Sequence, residues 1–398
     1  MIGGESALSS RWMPETLALT HLIAAGFMLQ AMCGALLQFV PVATGRNVWR
    51  PQVAAGIVHP LIILGTLLLC AGLLWGESRL LLAAIPLLMV GAGSFILVVG
   101  QALWRTPATG ATVACLRLAI ISLAPTIMLG AFMAEGIAWG RSLPLIEITS
   151  VHLGWGLGGW AFALLAGVSL QVVPMFQMTP PYPVKLSRYL APVLATLLIL
   201  WSGQWPFPGN SISIAAAWGL VLLPSIYALT TVWLQTKRKR KVTDSSFWFF
   251  RGAMLCFLLA ALIWSTTFLS ADMAIDPRIP MTAGILVIAG GFVSAISGML
   301  YKIAPFIIWL HLQRLQMPIN ELPNMKQMIP TRSIQHQMVL HFLATGLVLL
   351  AVWIPALSRP AGMAWIASSS WLGINLWRGA QRYMNVKDQI RAGAACPE

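Results

Sequence analysis

Long apolar stretches alternate with short polar ones along the whole chain. Eleven stretches of roughly 20 residues are nearly free of charge, and each is long enough to cross a hydrocarbon core of about 30 Å as a helix. They cover residues 16–40, 53–75, 80–104, 112–135, 147–174, 187–205, 212–235, 247–270, 281–304, 337–355 and 361–377. The segments between them are too short for a soluble domain of useful size. The pattern predicts an all-α polytopic membrane protein with about 11 transmembrane helices, in a single membrane domain over residues 1–398.

The composition and the distribution of charge agree with a membrane protein. Hydrophobic residues make up 58% of the chain and charged residues 9%, whereas soluble domains carry about 25% charged residues. Of the 25 Lys and Arg residues, 20 lie in or beside the loops that follow odd-numbered stretches, and 5 lie on the other side. The positive-inside rule therefore predicts an N-terminus outside and a cytoplasmic tail over residues 379–398. The expected location is a bacterial-type inner membrane.

The formal net charge of +14 needs no nucleic-acid partner. The basic run KRKRK at Lys237–Lys241 is typical of a topology signal that lies against anionic lipid, so the expected partner of this loop is the bilayer surface. The five cysteines form no C-x-x-C pair, which argues against a disulfide or zinc framework. The 19 methionines are scattered, which favours packing over a copper relay.

One sequence at the end of a helix occurs three times in the chain. The sequence GALLQFVP at Gly34–Pro41 returns as GVSLQVVP at Gly167–Pro174 and, more loosely, as GMLYKIAP at Gly298–Pro305. The offset is 133 residues from Gly34 to Gly167 and 131 from Gly167 to Gly298. The period predicts three pseudo-equivalent units of four helices, the last unit lacking one (4+4+3), over about 16–141, 147–272 and 281–378. We expect each proline to stop its helix.

Two stretches of this sequence carry a resemblance to a known family. THLIAAGFMLQAMCGALLQFVP at Thr20–Pro41 and VHLGWGLGGW at Val151–Trp160 resemble helices of the heme–copper oxidase and nitric oxide reductase catalytic subunits, and the NnrS-like branch is the nearer match. The resemblance implies a bundle with pseudo-threefold order that binds heme b, copper or both. Carried over residue by residue, it makes His21 a heme-iron ligand and His152 a non-heme metal ligand, in two different pores.

The sequence departs from that family at two helices. The family's tenth helix supplies two heme-ligating histidines and its seventh a metal-binding pair, yet 282–298 and 186–205 contain no histidine. The implied function is therefore a heme–copper-oxidase-like inner-membrane protein with a role in respiration or nitric oxide metabolism, a redox or oligomeric membrane partner, and no intact oxygen-reducing centre.

The remaining histidines predict at most one further site. His59 and His341, each early in its helix at the cytoplasmic side, are the candidate ligands of an inner metal site, while His311 and His336 border a polar loop and are expected to be solvated. The structural alternative for His21 and His152 is an interfacial histidine bonded to a neighbouring helix.

Two other classes of function stay open. The first is a permease or a heme or metal carrier with a pore between units, and the second is a non-catalytic structural membrane subunit. Whether the chain is an enzyme is undecided at this point, because a fold resemblance assigns no chemistry by itself.

Overall fold

A computed structural model describes residues 4–239, 242–267, 273, 275–313 and 328–394. Helices account for 86% of the structure, and no strand occurs in these residues. The described residues form eleven long helices: α1 Pro14–Thr44, α2 Pro51–Trp75, α3 Ser78–Arg105, α4 Ala111–Ala138, α5 Leu145–Gln177, α6 Val184–Ser202, α7 Ser211–Thr236, α8 Ser245–Thr266, α9 Arg278–Gln313, α10 Thr331–Trp353 and α11 Ser358–Ala394. Helices α1 to α10 are long and apolar enough to cross a membrane, which confirms the prediction of an all-helical multi-pass membrane protein.

The helix bounds follow the apolar stretches to within a few residues for most helices. The stretch 53–75, for example, becomes Pro51–Trp75. Helix α11 continues through the predicted tail as far as Ala394, and residues 395–398 lie outside the described residues. The end of the predicted second unit at 268–272 and the last two positions of the basic run, 240–241, also lie outside them.

The prediction that a proline stops each repeated helix is wrong. Pro41, Pro174 and Pro305 all lie inside their helices, which run on to Thr44, Gln177 and Gln313. Proline removes one backbone donor and disturbs the preceding turn. Neighbouring helices and local adjustment satisfy the freed carbonyl groups, so membrane helices tolerate proline well.

The helices group into two compact units. Arg11–Lys241 contains α1 to α7, and Met1–Ser10 together with Val242–Glu398 contains α8 to α11. In the first unit α2 packs along α3, α3 along α4, and α4 along α5. In the second unit α10 packs along α11 and α8 along α9. Among α1 to α10, the most buried helices are α5 and α9, one in each unit.

Three helices contain a wide π-helical segment at matching positions. These segments are Leu22–Leu29 in α1, Gly154–Phe162 in α5 and Leu286–Val293 in α9. Their first residues follow one another at an offset of 132, from residue 22 to 154 and from 154 to 286. π-Helical turns are rare and occur frequently at functional sites, so their recurrence singles out these three helices.

Two glycine contacts in one unit recur in the other. A Cβ atom at Gly159 would lie 2.5 Å from Ser122 Oγ, and one at Gly167 would lie 2.6 Å from Cys115 Cβ. In the second unit the matching contacts are Gly290 with Cys256 and Gly298 with Phe249, each at 2.6 Å to the nearest atom. The glycines are offset by 131 residues and their partners by 134. Helices α4 and α5 therefore approach each other in the same way as α8 and α9.

Candidate histidine site

The two histidines of the resemblance lie beside the π-helical segments of the Arg11–Lys241 unit. His21 is the last residue before the segment in α1, and His152 lies two residues before the segment in α5. Their ring centroids are 6.5 Å apart, with the ring planes tilted by 31°. The resemblance placed these residues in different pores, but the structure brings their rings to one place.

Both rings have the same hydrogen-bonding arrangement. The Nδ1 atom of His21 lies 2.8 Å from the carbonyl oxygen of Leu17, and the Nδ1 atom of His152 lies 3.0 Å from that of Thr126. A carbonyl oxygen only accepts, so Nδ1–H is the donor in each ring and the lone pair of the neutral imidazole is on Nε2. This arrangement, with one nitrogen fixed by a backbone oxygen and the other free, is the one that metal-ligating histidines adopt.

The distance between the rings fits a single metal atom between them. Two metal–nitrogen bonds of about 2.0 Å, plus a ring radius of about 1.1 Å on each side, give a centroid separation of about 6 Å across a linear arrangement and about 5 Å at a tetrahedral angle. The observed 6.5 Å is nearer the linear value. Two imidazole nitrogens at this separation would suit a heme iron or a copper(I) ion.

Small residues and two tryptophans hold His152 in position. A Cβ atom at Gly130 of α4 would lie 3.3 Å from Cε1 of His152, so the glycine lets α4 approach the ring closely. Trp201 of α6 donates its indole N–H to the carbonyl of Ser150 (3.0 Å), and Trp155 donates to Ser202 Oγ (2.9 Å). These bonds tie the turn that carries His152 to the next helix, so the ring orientation is fixed from both sides.

The histidine pair and the glycines beside it are not fully buried. His21 and His152 are both half-buried, and so are Gly26, Gly154 and Gly156 in the adjoining π-helical segments. Among the described residues there is no group of three or more His, Cys, Asp or Glu side chains able to hold a metal ion, so the pair offers two nitrogen ligands.

The predicted inner site is divided between the two units. In the Arg11–Lys241 unit, Nδ1 of His59 bonds to Gln30 Oε1, and Gln30 Nε2 donates to the carbonyl of His59 at 3.1 Å. In the other unit His341 is 3% exposed, and its Nε2 atom lies 2.8 Å from Ser294 Oγ. Each histidine thus has a polar partner of its own, and a metal site shared by His59 and His341 stays a prediction. His311 and His336 are exposed.

The sequence reasoning missed the residues that support the ring of His152. The carbonyl of Thr126 and the glycine at 130 come from α4, and neither carries a recognisable motif. A carbonyl acceptor leaves no trace in a side-chain pattern, and Gly130 is one of 34 glycines. Only the structure of α4 against α5 identifies them.

No known protein family matches this chain, and no curated protein resembles it. The class of protein is therefore stated from its fold and from the geometry of the histidine pair. The chain is an all-helical, multi-pass membrane protein over its described residues, and in one of its two compact units two half-buried histidines lie with their ring centroids 6.5 Å apart.

Proposed function

We propose that this protein binds one heme b between His21 and His152, and that it serves respiration or nitric oxide metabolism in the inner membrane. The observation that carries the proposal is the pair of imidazoles, each fixed through Nδ1 to a carbonyl, with ring centroids 6.5 Å apart. His21 and His152 would hold the heme iron through their Nε2 atoms, and a bound heme would supply one-electron transfer. Copper(I) is the alternative occupant of the same two nitrogens.

The roles of the protein's own residues follow from their contacts. His21 and His152 present their Nε2 lone pairs, Leu17 and Thr126 hold the tautomer, and Gly130 allows α4 to reach the ring of His152. A carbonyl acceptor raises the basicity of the ligating nitrogen.

The architecture of three related units is part of the same proposal. The π-helical segments at an offset of 132 support it, as do the glycine contacts repeated between α4–α5 and α8–α9. In this arrangement the units cover 16–141, 147–272 and 281–378, with the N-terminus outside and the C-terminus in the cytoplasm. The positions in the Val242–Glu398 compact unit that match Thr126 and His152, at offsets of 134 and 131, are Ala260 and Ala283. That copy therefore lacks the histidine site, so we assign one heme per chain.

The testing experiment is a visible spectrum, reduced minus oxidised, of the detergent-purified protein expressed with a heme supply. A pyridine haemochrome assay and metal analysis are run on the same sample. We expect about one heme b per chain with the spectrum of a six-coordinate, bis-histidine iron. Copper at about one atom per chain without heme would assign the pair to copper(I). Well-folded protein with neither group would overturn the proposal.

A small substitution next to His152 gives a graded test. In Gly130→Ala the new methyl group would lie 3.3 Å from Cε1 of His152, so the ring must move by a few tenths of an ångström or more. We expect heme occupancy to fall at least severalfold while the protein still folds, because ligand geometry is sensitive to such shifts. The matched control is Gly93→Ala in the same unit, where a Cβ atom meets nothing within 4 Å. Equal heme content in the two variants would contradict the assigned geometry.

A further inference from the structure

The N-terminus of α4 opens on a small pocket at one end of the Arg11–Lys241 unit. The pocket has a volume of about 230 Å³, and its walls include Thr109, Gly110, Thr112, Val113, Gln171 and Tyr182. Its volume is below the roughly 300–1,000 Å³ of sites for drug-sized molecules. Hydroxyl and amide groups make up much of the wall, so a small polar ligand fits better than an apolar one.

Two groups in this pocket lack the partner that they need. Helix α4 has Gly110 at its N-cap position, with a φ of 127°, and therefore has no side chain to accept hydrogen bonds from the first backbone N–H groups. The Thr112 side chain lines the pocket and is only 8% exposed. In the described part of the chain its hydroxyl has no hydrogen-bond partner. Uncapped N–H groups at a helix N-terminus attract anions, and the Thr112 hydroxyl in the pocket wall is a second donor.

The other unit shows what fills the matching position. Helix α8 is capped by Asp244, whose Oδ1 accepts hydrogen bonds from the backbone N–H of Phe247 (3.1 Å) and from Ser246 Oγ (2.8 Å). Its Oδ2 accepts a hydrogen bond from Lys302 Nζ. Burial acts to raise the pKa of Asp244, but the hydrogen bond and charge of Lys302 outweigh it and keep that pKa below its ordinary value. An ionised carboxylate is thus bound at the start of α8.

The pocket residues correspond one by one to that carboxylate site. Gly110, Thr112 and Val113 precede Asp244, Ser246 and Phe247 by 134 residues, and Gln171 precedes Lys302 by 131. These are the same two offsets at which the glycine contacts recur. The pocket has the same three kinds of group that surround the Asp244 carboxylate, namely a hydroxyl, a backbone N–H and a polar side chain. Glycine takes the place of the residue that supplies the carboxylate. The pocket therefore lies where the second unit holds its own anion.

The charge at this end of the unit also favours an anion. Basic residues lie at the same helix ends as the pocket. They belong to the ends of α1, α3 and α5, the starts of α2, α4 and α6, and the loop after α7, and include Arg46, Arg50, Arg105, Arg117, Lys185, Arg188 and Lys239. All four acidic residues of the unit, Glu15, Glu77, Glu135 and Glu147, belong to the opposite helix ends. The backbone N–H of Lys239 donates to the carbonyl of Met178 at 2.9 Å, which brings the basic loop beside the loop that carries Tyr182.

We propose that this pocket binds a phosphate group through the Val113 N–H, the Thr112 hydroxyl and the Gln171 amide. Helix N-termini are well suited to phosphate, and the ends of membrane-spanning helices lie at the level of lipid phosphates. The phosphate comes from an acidic phospholipid head group or from a free phosphate ion. This site is separate from the histidine pair and does not depend on the heme proposal.

The test uses the full-length protein in nanodiscs of phosphatidylcholine and follows the midpoint of thermal unfolding. One arm titrates inorganic phosphate against chloride at constant ionic strength, and the other replaces part of the lipid with phosphatidylglycerol. We expect a saturable rise of a few degrees in one arm, and which arm it is identifies the source. In Thr112→Val the concentration for half of the effect should rise about tenfold, as loss of a hydrogen bond to a charged group predicts.

The matched control is Ser246→Ala, which changes the corresponding hydroxyl in the unit that already contains Asp244. It should leave the response to both ligands unchanged. Gln171→Leu, at an exposed position, gives a second test if Thr112→Val folds poorly. No shift in either arm for the wild type, or the same half-effect concentration in the wild type and the pocket variants, would overturn the proposed site.

Discussion

Replacing either histidine of the pair with alanine is expected to remove the heme. In His21→Ala or His152→Ala, occupancy should fall from about one heme per chain to below about a tenth. Loss of an outer-shell partner already costs 10–100-fold in affinity, and loss of the ligand itself should cost at least as much. Heme content by pyridine haemochrome, normalised to folded protein by gel filtration, is the measurement. His311→Ala is the control, because that ring is exposed, lies in the other unit and has a hydrogen bond to the carbonyl of Ile307 in its own helix.

A second variant separates a ligand from a structural histidine. His152→Met keeps a donor atom at the same position, and methionine in place of one axial histidine raises the reduction potential of a heme. We expect His152→Met to retain heme with a raised midpoint potential, whereas a histidine that only supports packing would leave the potential unchanged. If heme stays bound in both alanine variants with an unaltered spectrum, the ligands lie elsewhere in the chain.

If the protein folds well without heme or copper, the two other classes of function, a carrier and a structural subunit, become the ones to test. A permease or a heme or metal carrier should then show substrate flux in liposomes. A structural subunit should show no flux and should purify with a membrane partner. The histidine pair would in that case be two interfacial rings, each bonded to a backbone carbonyl of its own or a neighbouring helix, as Leu17 and Thr126 already allow.

The hydrophobic pattern predicted the number and the approximate bounds of the long helices, because the length of a membrane helix depends only on the residues of that helix. Each span must cover about 30 Å and satisfy its own backbone hydrogen bonds, so the stretch 212–235 could only become a helix such as Ser211–Thr236. The π-helical segments could not be predicted in the same way. An i→i+5 turn is a choice between two helical hydrogen-bond patterns, and packing against a neighbouring helix decides it.

The sequence proposed the two histidines of the candidate site but not their proximity. His21 and His152 were identified from sequence, yet 131 positions separate them, and their proximity depends on how α1 and α5 meet α4. The phosphate pocket had a clearer signal in the sequence. Gly110 stands 134 positions before Asp244, at the offset that also relates Arg117 to Arg251. The consequence of that exchange appears only when the contacts of Asp244 are known.

The largest effect on stability is expected where two helices approach through a glycine. In Gly298→Ala the added methyl group would lie 2.6 Å from Cβ of Phe249 and 3.3 Å from the carbonyl oxygen of Ser246. Neither atom can rotate away, because one is a Cβ and the other belongs to the backbone. Helices α8 and α9 must therefore separate, and overpacking of this kind costs about 1–3 kcal/mol or more. Small residues at helix contacts in membranes exist to allow such approach.

The matched control for this prediction is Gly284→Ala on the same helix, where a Cβ atom meets nothing within 4 Å. That change should be neutral or should stabilise the protein by up to about 1 kcal/mol, since alanine favours helix more than glycine does. Thermal and denaturant unfolding in one detergent compares the two variants. Gly167→Ala should behave like Gly298→Ala, because its methyl group would lie 2.6 Å from Cβ of Cys115. If Gly298→Ala and Gly167→Ala are as stable as Gly284→Ala, then α4 does not pack against α5, nor α8 against α9, at the distance described. The repeated glycine contact would then no longer support the proposal of related units.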